Sequence, residues 1–323
     1  MVRFLVRRTA QGIVIIWLVA TFTFVLLRSA PGDPLSAVYG DRRLPPTVAA
    51  AYRERYCLSG SMGAQYGCWL RSLAHGDLGY SIQHQRPVAS VLADALPYTL
   101  LLMGLALTAS FAIGISLGLT QARRHGRIAD RVIGALLLLF YSMPEFWVGI
   151  AVLLAFGYWL GLFPLSGFCD PVLCASLGPL GRAGNIAWHL VLPVLTLALA
   201  SAGAIGRQQR AAALEVANQD FVRTARAKGV DESRVMRRHI FRNAIIPVIT
   251  LAGLYAPALV GGAFFTERIF GWPGMGLVTV AAIHFRDYAV LSAAVIVTSL
   301  LLVIGNLAAD MLVQLADPRV RAA

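Results

Sequence analysis

The dominant pattern along the chain is a series of long apolar runs separated by polar intervals. The runs are Thr9–Leu27, Ala95–Ala122, Val132–Phe163, Ala183–Gly206, Asn243–Thr266 and Tyr288–Ala309, and only the third contains a formal charge, at Glu145. A helix crosses a bilayer core with roughly 20 mostly apolar residues, so the pattern predicts six spanning helices. The third run is long enough to tilt, or to end in a short interfacial segment. Barrel strands would alternate in units of about ten residues, and no such alternation is present. The expected fold is an all-α integral membrane protein.

Basic residues orient the spans, because cytoplasmic loops are enriched in Lys and Arg. Arg3, Arg7 and Arg8 precede the first run. Arg123, Arg124, Arg127 and Arg131 separate the second and third, nine basic residues lie between Arg207 and Arg242, and Arg319 and Arg321 end the chain. This gives 18 basic residues on one side and 10 on the other. Both termini are therefore expected in the cytoplasm. Residues 1–27 hold the N-terminus and first span, and 28–94 form a large external loop between helices 1 and 2. A core of five spans follows over 95–313, with a cytoplasmic loop at 207–242, and 314–323 form a tail. A cleaved signal peptide is not expected, since Arg28-Ser29-Ala30 is a poor small-x-small site.

Composition agrees with a membrane protein. Of 323 residues, 58% are hydrophobic and 14% charged, against about a quarter charged in soluble domains. The net charge of +12 does not indicate a nucleic-acid partner, because the charges lie between apolar runs rather than along one basic face. The 28 basic residues include a single lysine, Lys228, which is followed by Gly229. A phosphate-binding P-loop requires Gly-Lys-Ser/Thr, so any ATPase that drives this chain is another polypeptide.

The four cysteines all fall on the predicted outer side. Cys57 and Cys68 lie in the first external loop, Cys169 and Cys174 in the second. Local pairs Cys57–Cys68 and Cys169–Cys174 are the simplest arrangement in an oxidising compartment, with four free thiols as the alternative. A zinc site is disfavoured by the spacing and by the lack of a neighbouring His pair.

The 207–242 loop carries the densest signals. Asp220 is placed to cap a short helix over Phe221–Lys228. Gly229 then stands where a helix end favours a left-handed residue, with Arg226 and Lys228 in the last turn, where positive charge suits the dipole. Asp231 is placed to cap a second helix leading to span five. Between them, Thr224-Ala225-Arg226-Ala227 reads as a small, exposed stub that can seat in a groove on a cytoplasmic partner. The other reading is a basic loop that only sets topology or touches anionic lipid.

Glu145 is the one acidic residue well inside a span, preceded by Ser142 and Pro144. Intramembrane carboxylates usually face a cavity or a partner. Glu145 therefore either lines a translocation path, near a substrate amino group, or is satisfied locally beside a kink at Pro144. Gly114 with Gly118, and Gly157 with Gly161, have the spacing that lets helices approach closely. Pro193 and Pro257 are expected to kink spans four and five. Trp17, Trp147, Trp159, Trp188 and Trp272 fall mostly near span ends, as aromatic belts do. His189 and His284 have no Ser or Cys partner at an informative spacing, and no paired Asp lies within the spans. No catalytic, cofactor-binding or metal-ligating residues are identified.

Several motifs, in order and spacing, resemble one family. They are Arg3-Phe-Leu-Val-Arg-Arg8, Pro31-Gly-Asp-Pro34, Gly76-Asp-Leu-Gly-Tyr-Ser81, Arg86-Pro-Val88, Ser142-Met-Pro-Glu-Phe-Trp147 and Leu162-Phe-Pro-Leu-Ser-Gly167. The loop stretch Asn218–Gly229 with Arg238–Pro247 follows, then Gly261–Glu267, Phe270-Gly-Trp-Pro-Gly-Met-Gly276 and Arg286-Asp-Tyr288. Together they resemble the B-type permease subunit of the dipeptide/oligopeptide/nickel ABC importers, over nearly the whole chain. Arg223 stands where the general importer motif has Glu, as is common in peptide-type permeases. Cys57-Leu-Ser-Gly-Ser-Met-Gly63 and the Cys169–Cys174 insertion depart from the usual external loops.

The resemblance implies a type I importer fold in a bacterial cytoplasmic (inner) membrane, with this chain forming half of the pore. It implies a second homologous permease, two cytoplasmic ATPase subunits that hold ATP and Mg, an external solute-binding protein and a peptide substrate. Nickel complexes and glutathione are the alternatives within the family. Glu215, Asp220 and Arg223 through Gly229 become the ATPase-coupling residues. A stand-alone secondary transporter would need coupling-ion residues near midplane and usually internal repeats, for which Glu145 alone is thin support.

Overall fold

The computed structural model describes residues 2–29, 53–54, 57–255 and 264–316. Most of them are helical. In chain order the helices are α1 (Val2–Ser29), α2 (Met62–Ala74), α3 (Val88–Arg123), α4 (Ile128–Ser142), α5 (Glu145–Val152), α6 (Pro171–Ser176), α7 (Pro179–Ala217) and α8 (Asp220–Ala227). They continue with α9 (Glu232–Arg234), α10 (Arg242–Ala244), α11 (Ile246–Tyr255), α12 (Phe264–Phe270), α13 (Met275–His284) and α14 (Tyr288–Ala316). A two-stranded antiparallel ladder pairs β1 (Tyr80–Ser81) with β2 (Arg86–Pro87), Tyr80 opposite Pro87.

Among the described residues, four helices are long and apolar enough to span a bilayer: α1, α3, α7 and α14. A fifth candidate is a bent pair. The run Val132–Phe163 is not one tilted helix, because α4 stops at Ser142 and α5 starts at Glu145, their axes 111° apart. The cause is local. Pro144 disfavours helical backbone at the residue before it, and Met143 is extended (φ −81°, ψ 139°). After α5 the chain widens into a π-helical turn, Leu153–Trp159, and leaves it through Gly161 in the left-handed region (φ +60°). The predicted fifth span, Asn243–Thr266, is described as far as Tyr255 and again from Phe264. Pro257, Gly261 and Gly262 lie outside the described residues, as do Pro31–Pro34, Arg319 and Arg321.

The chain divides into two compact units. One comprises residues 1–99 and 273–303. Its core packs Val88, Leu92 and Ala95 of α3 against Met275 and Ala282 of α13 and Val290, Ala293 and Ala294 of α14. At the end of α1, Phe24 meets Tyr66 and Trp69 of α2 at ring distances of 5.2 and 5.4 Å. The Ser81 hydroxyl donates to the buried carboxylate of Asp287 (2.6 Å), which also accepts from the backbone N–H groups of Gln83 (3.1 Å) and Val290 (3.3 Å). One aspartate thus caps α14 and pins the β1–β2 turn, which accounts for two of the sequence motifs at once. Cys57 and Cys68 are joined, their Cα atoms 5.8 Å apart.

The second unit comprises residues 100–272 and 304–323. Its axis is α7, 39 residues long and so about 58 Å end to end, nearly twice a bilayer core. The helix is continuous through Pro193. Glycines set its neighbours at backbone contact. A Cβ on Gly118 of α3 would lie 2.5 Å from the Gly206 carbonyl oxygen, and one on Gly203 would lie 2.5 Å from that of Leu137 in α4. The Gly114/Gly118 spacing is therefore a packing seam. Gly157 and Gly161 are not, since Gly161 has nothing within 4 Å and serves a turn. Trp272 is fully buried, unlike the half-exposed Trp17, Trp147 and Trp188, so it belongs to the core and not to a belt. Its backbone N–H donates to the Glu267 carbonyl (2.9 Å), closing the end of α12.

Candidate functional site

The 207–242 interval is not a loop in the mechanical sense. Helix α7 continues through it to Ala217, past the predicted membrane exit at Gly206. Asn218 and Gln219 turn the chain, and α8 begins at Asp220. Gln219, not Asp220, occupies the cap position, and no side chain caps the helix. Asp220 instead sits in the first turn, where its charge faces the positive helix end. Lys228 terminates α8, and Gly229 adopts φ +75° in open space.

The chain then re-enters a helix at Asp231, whose carboxylate accepts from the Ser233 N–H (2.9 Å) and the Ser233 hydroxyl. It proceeds through α9, a π-helical turn (Val235–Phe241) and α10 to α11. The predicted helix, glycine break and second helix are all present, and the second helix leads into the start of predicted span five.

A small core holds this segment together. Ala212, Ala213 and Val216 of α7 pack with Val222 and Ala225 of α8 and with Val235, Ile240 and Ala244 of the returning helix. Ala225 is therefore buried, 6% exposed, contrary to its expected place in an exposed stub. The reason is amphipathic geometry. Val222 and Ala225, three residues apart, form the inward stripe. Asp220, Arg223, Thr224 and Ala227, at spacings of three and four, are all exposed. Arg223 stands 3.6 Å from Asp220 on that face.

Arg226 reaches across the glycine turn. Its Nε and Nη2 donate to Glu232 Oε2 and Oε1 at 3.1 and 2.7 Å. This fork holds the Glu232 carboxyl below the usual carboxylate range and raises the Arg226 guanidinium. The Ser233 hydroxyl and N–H likewise hold Asp231 low. Glu215 is exposed at the end of α7, and its carbonyl accepts the Asn218 N–H (3.2 Å). Lys228 and Gly229 are exposed as well.

The other predicted site lies at the α4–α5 break. Glu145 opens α5 and is half-buried. The Thr266 hydroxyl of α12 donates to its Oε1 at 2.8 Å, so the carboxylate has a local partner beside Pro144. Phe146 and Phe265 meet nearby with tilted rings, their centroids 5.9 Å apart. Ser142 is exposed and its hydroxyl donates back to the Leu138 carbonyl (2.8 Å). Cys169 and Cys174 are joined with Cα atoms 6.2 Å apart, around α6. His189 is buried, and its Nδ1 lies 2.9 Å from the Asn185 carbonyl, a structural contact. Among the described residues, no group of three or more His, Cys, Asp or Glu side chains is placed to hold a metal ion.

Two charged residues that the sequence pattern does not single out also meet in this unit. Asp130 of α4 and Arg210 of α7 form a two-pronged ion pair. They are 80 residues apart, and nothing local in the sequence couples them.

Comparison with known proteins decides the family. Residues 95–322 match the family model of the binding-protein-dependent transport system inner membrane component. Residues 1–103 match the N-terminal family model of such membrane components. The chain belongs to this family. It is a multi-pass permease subunit of an ABC importer, a transporter class that works with further subunits.

The permease is 36% identical over 321 residues to the oligopeptide transport system permease protein AppB of Bacillus subtilis, covering 99% of each chain. It is 38% identical, again over 99% of each chain, to a putative peptide transport system permease of Brucella abortus. It is 35% identical over 335 residues to the di/tripeptide transport system permease protein DppB of Pseudomonas aeruginosa, covering 99% of each. A solved amino acid ABC transporter overlays 72% of the permease and 94% of its own chain, with 16% identity and a TM-score of 0.45. That overlay adds nothing to the assignment.

Proposed function

We propose that this permease imports dipeptides and oligopeptides across a bacterial inner membrane. In this reading it crosses the membrane six times with both termini in the cytoplasm, and supplies half of a pore completed by a second, homologous permease. Two cytoplasmic ATPase subunits hold ATP and Mg and dock on the outward face of α8, with Asp220, Arg223, Thr224 and Ala227 in the contact. Glu215, Arg226, Lys228 and Gly229 frame that face, and the buried Ala225 anchors it. An external binding protein delivers the peptide to the outer loops, which the Cys57–Cys68 and Cys169–Cys174 disulfides brace. Glu145, with Ser142 and Pro144, borders the translocation path.

The observation that carries the reading is the construction of 207–242. A helix that continues past its span carries a short amphipathic helix with a charged face outward, and a left-handed glycine returns the chain to the next span. A loop that only set topology would need its arginines and nothing else. The peptide substrate is supported by the three relatives, each described as a peptide, oligopeptide or di/tripeptide permease.

The test is reconstitution of the permease with its second permease, ATPases and binding protein in proteoliposomes. Uptake of a labelled mixture of di- to pentapeptides should require ATP hydrolysis. Full uptake by this chain alone under an ion gradient, without ATP, would overturn the reading.

A further inference from the structure

Asp130 and Arg210 form a cluster that shares no residue with the outward face of α8 or with the break at Pro144. Asp130 lies in the first turn of α4, its side chain 7% exposed. Arg210 Nε donates to Oδ1 at 2.8 Å and Nη2 to Oδ2 at 2.9 Å. The same carboxylate accepts the N–H of Gly126 (3.1 Å), which occupies the left-handed position of the α3–α4 turn (φ +76°). Gln121 of α3 donates to the Asp130 carbonyl (3.0 Å) and to Oδ1 (3.3 Å). His125 Nδ1 stands 3.4 Å from Oδ2 and 3.2 Å from Arg210 Nη2. The whole α3–α4 corner is gathered onto one side chain of α7.

Position gives this cluster its meaning. Arg210 lies one helical turn past Gly206 and just before Ala212, Ala213 and Val216, the residues on which α8 is packed. Leu119 and Ala122 of α3 pack against the same core. One turn back, Gly118 lies against the Gly206 carbonyl and Gln209, so α3 and α7 have no slack there. A forked guanidinium–carboxylate pair fixes direction as well as distance, which a lysine cannot do. Charge placed only to set topology would not need a buried, four-fold satisfied acceptor.

We propose that Asp130 and Arg210 are a positioning pair that makes the α3–α4 corner move as one body with α8. Displacement of α8 by the ATPases then reaches spans two and three as well as four and five. This rests on the importer reading above.

The test uses the assembled transporter in proteoliposomes, with the same labelled peptide mixture. Asp130→Asn removes the charge, and Arg210→Lys keeps the charge but not the fork. Each variant should assemble like wild type and hydrolyse ATP within about twofold of it, yet move about tenfold less peptide per ATP. The double variant should fall no further than either single, because both act through one contact. Wild-type uptake per ATP in the single variants would overturn the pair's role and leave the importer reading standing. So would loss of assembly in both, which would mark the pair as a folding element only. A wild-type complex without ATP-driven uptake would overturn the importer reading, and this inference with it.

Discussion

Gly229 and Gly118 show how differently two glycines can be required. Gly229 sits at φ +75°, and a Cβ added there would meet nothing within 4 Å. Gly229→Ala therefore carries only the left-handed backbone cost, about 1–2 kcal/mol. That cost falls on the exposed turn between α8 and the returning helix, where local fraying can relieve it, so the substitution should reduce peptide uptake per ATP and lower the unfolding temperature less than Gly118→Ala does. At Gly118 the backbone is ordinary but the space is not. A Cβ would lie 2.5 Å from the Gly206 oxygen and 2.9 Å from Gln209 Cβ. Gly118→Ala should therefore destabilise the fold by about 1–3 kcal/mol through overpacking, read as a lower unfolding temperature of the purified chain. The reverse pattern, or no effect at either site, would contradict these assignments. Among single residues, the sequence is informative where the signal is local. Gly229 and the Asp231 cap are legible from neighbours within three residues. Ala225 is not, because small residues read as surface unless the helix face is resolved, and the inward stripe here is only Val222 and Ala225. Asp130 and Arg210 are illegible because their partnership is purely tertiary.

Among the elements, the instructive ones are α7 and the α4–α5 pair. Apolar length alone predicts a single third span, since Val132–Phe163 contains one charge. Pro144 is visible as a kink, but a 111° change of axis depends on what α5 packs against. There, Val148 and Val152 join Leu192 of α7 and Phe270 of α12 in one core. The length of α7 is hidden for the opposite reason. Hydropathy ends at Gly206, but helical propensity does not, and Gln208 through Ala217 is rich in good helix formers. The α8–α9 turn adds a pH dependence. Glu232 and Asp231 both titrate below their ordinary values in the fold. Their stabilisation is complete above the ordinary carboxylate range, about pH 4, and is lost as pH falls through the lower folded values. Hydrogen exchange over 226–236, corrected for its intrinsic pH dependence, should lose protection only below that range. Protection that fell between about pH 8 and 6 would point to a different group, such as a histidine.

For the whole molecule, the peptide-importer reading assigns a polarity: an external side whose loops the disulfides brace, and a cytoplasmic side on which α8 meets an ATPase. Charge counting suggests this polarity because the arginines cluster at alternate intervals, a signal that needs no tertiary information. The central claim is that α8 presents its outward face to an ATPase. The most direct measurement places a photocrosslinking amino acid at Thr224, exposed on α8, in the full chain in its native membrane. A control position at Val172, 79% exposed on α6, lies in the predicted second external loop. Thr224 should capture an ATPase subunit and Val172 should not. Capture of lipid alone from Thr224, or of the ATPase from Val172, would contradict the claim.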